Sequence, residues 1–71
     1  MGEVKHGIYT ASAGLQDGVI CFQLMDHLGR IVADGIGDTV SEAQEDAFET
    51  TVHDGARLCL RDARFPESLA D

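Results

Sequence analysis

Asp38, Glu42, Glu45, Asp46 and Glu49 place five carboxylates within twelve residues, with no lysine or arginine among them. From Glu42 onward their spacings are three and four, so a helix would gather them on one semi-continuous face. Carboxylates in a first helical turn each gain roughly 0.3–1 kcal/mol from the helix dipole at low salt. Capping accounts for Glu42 and extends to Glu45. Asp46 and Glu49 need no capping role, and like charges four apart repel slightly. A helix start that already holds carboxylates is a poor site for phosphate or nucleic acid. The chemistry this cluster offers is contact with a basic protein surface, the alternative being a solvated face that serves solubility.

The other residues with chemical potential are His6, His27, His53, Cys21 and Cys59. Asp26-His27 and His53-Asp54 are adjacent pairs. Neighbours in a strand or helix do not face one another, and a general base needs its partner within hydrogen-bond reach. Cys21 falls in an apolar strand and Cys59 on an apolar helical stripe, where free cysteine behaves as a small hydrophobe. No compact zinc-ligand spacing is present. No Gly-x-x-x-x-Gly-Lys or Gly-x-Gly-x-x-Gly loop occurs, so Gly35-Ile36-Gly37 reads as backbone freedom between strand and helix. Neither a catalytic residue, nor a metal, nor a cofactor is expected. Arg57, Arg61 and Arg64 are spaced four and three apart, suit the C-terminal end of a helix, and could pair with the acidic face of a second copy.

The chain has 71 residues and a formal net charge of −8, from 13 acidic and 5 basic residues. That balance disfavours direct nucleic-acid binding and adhesion to anionic membranes. Hydrophobic content of 44 % is ample for a compact core in one domain. Two cysteines are too few for a disulfide framework. The start lacks a basic segment followed by an apolar run, and the longest apolar run, Val19 to Phe22, is too short to span a membrane. A cytoplasmic location is the resulting expectation.

The elements that must position these residues read as follows. Val4 to Ala13 is expected as a first strand. Asp17-Gly18 is a hairpin turn signal. Val19 to Asp26 is the clearest strand, with Ile20, Phe22 and Leu24 on one face and Val19, Cys21, Gln23 and Met25 on the other. Arg30 to Ile36 is a third strand, with Ile31 and Ala33 opposite Val32, Asp34 and Ile36. Thr39 with Glu42 fits a capping box, and Ser41 with Gln44 competes. Ala43, Ala47, Phe48, Thr51, Val52, Gly55 and Cys59 form a helical stripe. Gly55 either marks close packing or ends the helix. The expected fold is α+β: a three-stranded antiparallel meander packed against one C-terminal helix. Residues 1–64 form a single domain and 65–71 a frayed tail. One helix leaves a sheet face open, which predicts a homodimer or a protein partner.

Phe22 to Ala47 resembles the hairpin-helix half of double-stranded-RNA-binding domains, through Gly35, Gly37, Thr39, Ser41, Ala43 and Ala47. Glu42, Gln44, Glu45 and Asp46 stand where that family carries phosphate-gripping lysines. Gly37-Asp38-Thr39-Val40-Ser41-Glu42-Ala43 resembles the strand-to-helix junction of HicB-type antitoxin domains. That resemblance implies a small acidic protein that binds a basic toxin. The leading expectation is a non-enzymatic interaction module, antitoxin-like or akin to small phage-type inhibitors. A homo-oligomeric accessory protein is the alternative.

Overall fold

A computed structural model describes residues 2–71. Four strands form one antiparallel sheet in the order β1-β2-β3-β4: β1 Gly2–His6, β2 Tyr9–Gln16, β3 Val19–Met25 and β4 Ile31–Gly37. Helices α1, Val40–Thr50, and α2, Asp54–Asp62, follow, then a short 3-10 turn, Glu67–Ala70. The expectation of three strands and one helix is thus corrected to four strands and two helices.

The expected first strand is two strands. Gly7 lies at φ 64 in the first position of a two-residue loop, where glycine is favoured in a hairpin turn. His6 pairs with Tyr9, and the chain reverses instead of running on to Ala13. The second hairpin turns at Asp17 (φ 53) and Gly18 (φ 81), as Asp-Gly should. The third is longer, and Asp26 holds it together. Its Oδ1 accepts the N–H groups of Leu28 and Arg30, at 2.9 and 3.0 Å, and its Oδ2 accepts Arg30 Nε at 2.9 Å.

The expected single helix breaks at Thr51. Thr50, Thr51 and Val52 are consecutive β-branched residues, which lose side-chain freedom in a helix. Thr51 takes an extended conformation (φ −68, ψ 144) and donates its hydroxyl to the Val32 carbonyl at 2.6 Å. The same oxygen accepts the His53 N–H at 3.2 Å. Val52, expected on the buried stripe, is consequently 86 % exposed. Gly55 falls in the first turn of α2.

The core lies between the sheet and the helices. Phe22 and Leu24 on β3 supply bulk; Ala11 and Ala13 on β2 and Ala33 on β4 flank them with small side chains. Small residues on the neighbouring strands let α1 approach closely. Ala43 and Ala47 are fully buried and sit directly over Gly35, whose missing side chain leaves no room for even a methyl group against Ala43 O and Ala47 N. α2 runs antiparallel to α1 and contributes Ala56, Cys59 and Leu60. Segment 65–71, expected to fray, packs inward. Phe65 and Leu69 are buried, and the Phe65 ring lies 5.4 Å from that of Phe22. The far sheet face is uncovered and mixed, with Gln23, Asp34 and Ile36 exposed and Val19, Cys21 and Met25 half-buried. No helix among the described residues is long and apolar enough to cross a membrane.

Candidate interaction surface

An α-helix begins with backbone N–H groups that lack partners within the helix. In α1, Thr39 is the cap: its Oγ1 accepts the Glu42 N–H at 3.1 Å. The remaining donors are met from far along the chain. Glu67 Oε1 accepts the Val40 N–H at 2.8 Å, and Oε2 accepts the Ser41 N–H at 3.0 Å and the Ser41 hydroxyl at 2.9 Å. These bonds, Val40's first, hold the Glu67 carboxyl below the usual glutamate range. The anion at the start of α1 is therefore built into the chain.

The outer edge of β4 is closed by α1 in the same way. Asp46 Oδ2 accepts the Ile36 N–H at 3.1 Å. The Thr50 hydroxyl is shared between the Asp46 carbonyl of its own helix at 3.0 Å and the Asp34 carbonyl at 3.3 Å, and Thr51 serves Val32. With the Ile36 N–H and the Asp34 and Val32 carbonyls engaged, this edge offers a poorer template for a further strand. Of the five carboxylates singled out from sequence, Asp46 is thus turned to the sheet edge. Asp38, Glu42, Glu45 and Glu49 are exposed. Neither ion pair among the described residues, Arg30–Asp26 and Arg61–Asp62, involves any of the five.

The arginines lie along the other side of the helical layer. Arg57 donates to the Thr51 carbonyl, with its guanidinium carbon 5.8 Å from the Phe48 ring centre. Gln44 on α1 donates to the carbonyls of Leu60 and Ala63, at 2.8 and 2.9 Å, and so caps the end of α2. Between the helices runs an open groove of about 300 Å³, floored by Phe48, Leu60 and Phe65 and edged by Glu45, Arg61 and Arg64.

The histidines and cysteines assemble differently from the pairs seen in sequence. His27 and His53 share a hollow of about 410 Å³ with Tyr9, Arg30 and Asp54. Asp26 also borders it, but its carboxylate is committed to the β3–β4 loop. The Arg30 N–H, above all, holds that carboxyl below the usual range. Cys59 is buried, and burial followed by the nearby Asp62 charge pushes its thiol up, away from the reactive thiolate. Cys21 is half-buried on the uncovered sheet face, opposite the core that holds Cys59. Among the described residues no three His, Cys, Asp or Glu side chains converge as a metal site.

Sequence reasoning missed Glu67 and Gln44, the two side chains that cap a helix other than their own. The only hint was the acidic residue just beyond Phe65-Pro66; nothing local links it to Val40, 27 positions away. No family model matches the chain, and neither a curated protein nor a solved structure matches it.

Proposed function

We propose that this chain is a non-enzymatic interaction module that presents the outward face of α1 to a basic protein. One observation carries the reading: Asp38, just before α1, and Glu42, Glu45 and Glu49 on it stay exposed and outside every described ion pair, while Thr39 and Glu67 meet the needs of the helix start. Glu42 also accepts the Thr39 hydroxyl at 3.4 Å, while Asp38, Glu45 and Glu49 are surplus to the fold. The helix that holds them is tied down at both the sheet edge and its start, so the charges form a preorganised array. Asp46 belongs to the array in sequence but contributes mainly by anchoring it. A HicB-like neutraliser of a basic toxin, working in the cytoplasm without a cofactor, is the most concrete form of this reading. The half-covered Val19, Cys21 and Met25 beside exposed Ile36 favour a second reading, a homo-oligomeric accessory protein.

The test is titration of a fluorescent lysine-rich peptide with the wild type and with a D38N/E42Q/E45Q/E49Q variant. The wild type should bind with an affinity that falls as salt rises. The variant should bind at least tenfold more weakly while unfolding at an unchanged temperature. Equal binding by the two proteins would remove the reading.

A further inference from the structure

We infer that a second copy of this chain docks on the groove between α1 and α2, about a two-fold axis running along the groove. The inference deepens the reading of the α1 carboxylates as a contact surface by naming one basic surface that they fit. It starts from charge placement within the helical layer. Glu45 and Glu49 lie on the outer side of α1; Arg57, Arg61 and Arg64 follow one side of α2 and the residues after it. The helices are antiparallel, because Gln44 near the start of α1 reaches Leu60 and Ala63 at the end of α2, while Phe48 meets Arg57. Glu45 is therefore level with Arg61 and Arg64 across the groove, and Glu49, the residue after Phe48, falls near the level of Arg57, which lies over the Phe48 ring.

A two-fold axis along the groove turns α1 of one copy onto α2 of the other without changing height. Each Glu45 then faces the other copy's Arg61 and Arg64, and each Glu49 faces its Arg57. The surface is self-complementary, as an isologous interface must be. On the groove floor the half-buried Phe48 meets its own copy along the axis, while Leu60 and Phe65 are already buried within each chain, so the charge pairs carry the contact. Arg61 is paired only with its neighbour Asp62, an exposed contact that costs little to exchange. Both copies carry a net charge of −8. At physiological ionic strength the screening length is about 8 Å, so the contact charges, and not the distant ones, decide the outcome.

Sedimentation velocity in physiological salt tests this with the wild type, an E45R variant, an R61E/R64E variant and the equimolar mixture of the two variants. All three positions are exposed, so folding should survive, and circular dichroism checks it. The wild type should sediment as a dimer. Each variant alone should be monomeric, since position 45 then faces like charge at positions 61 and 64. The mixture should recover the dimer, because position 45 of each variant again meets opposite charge at positions 61 and 64 of the other. A monomeric wild type overturns the inference, as does a dimer that persists in either variant alone. A D38N/E42Q protein separates the two readings, because neither residue lines the groove. It should keep the dimer and weaken lysine-rich peptide binding.

Discussion

The two helices differ little in length, 11 residues against 9, and greatly in how they are held. α1 is fastened along its whole run. Thr39 and Glu67 satisfy its start, Ala43 and Ala47 press on the backbone of Gly35, and Asp46, Thr50 and Thr51 tie its far side to β4. α2 starts after His53, which makes no side-chain capping bond; Arg57 on the Thr51 carbonyl and buried Ala56 hold its first turns, and Gln44 holds its end. The side chains that α1 presents to solvent therefore stand on a helix with more anchors, its start capped by side chains where that of α2 is not. Local opening follows such differences, because free energies of opening vary across a fold with the local density of packing and bonds.

Two glycines, one under α1 and one in the first turn of α2, report on how differently the helices are held. Gly35→Ala should have the largest effect, since a methyl group there collides with the α1 backbone at Ala43 and Ala47, which cannot swing aside. The expected cost is about 3 kcal/mol, a large share of the roughly 4–11 kcal/mol typical of a chain this size. Urea unfolding measures it. Next comes Thr51→Val, which keeps the shape but leaves the Val32 carbonyl and the His53 N–H without their partner. It should cost about 1–3 kcal/mol and raise hydrogen exchange at the α1–α2 junction.

Glu67→Gln should cost less and change the pH dependence of stability. The folded carboxyl is held below its unfolded value, so its contribution is fully present above the unfolded value and is lost as pH falls through the folded one. Unfolding curves across the acid range should be flatter for the variant than for the wild type. Gly55→Ala should have the smallest effect. A methyl group there meets only the Tyr9 hydroxyl, the far end of a side chain that can move. The gain in helix propensity, about 1 kcal/mol, offsets that adjustment and leaves stability near the wild-type value. A loss as large as that of Gly35→Ala would mean that α2 is as tightly set as α1.

How much of this was legible in the sequence depended on how local the cause was. The alternation of Ile20, Phe22 and Leu24 fixed the faces of β3 correctly, and Asp17-Gly18 marked its turn. His6-Gly7 also encodes a turn, but the β-favouring Ile8, Tyr9 and Thr10 beside it read as one continuous strand. Thr50-Thr51-Val52 carried a legible warning against helix, outweighed by the apolar spacing through Val52 to Cys59. The site was legible as a set of charges and not as a division of labour. Only the pairing of α1 with β4 shows that Asp46 serves the Ile36 N–H, while its neighbour Glu45 faces solvent. The Glu67 contact spans 27 positions and has no periodic or compositional trace.

α1 has its anion supplied from within by Glu67, and the proposed contact of the remaining acids with a partner depends on it. An NMR titration that follows the Glu67 carboxyl carbon together with the Val40 and Ser41 amides tests this directly. The prediction is one shared transition below the usual glutamate range, seen at all three residues and absent from the amides of Glu67→Gln. A Glu67 that titrates at the ordinary value, with no response at Val40 or Ser41, would contradict it.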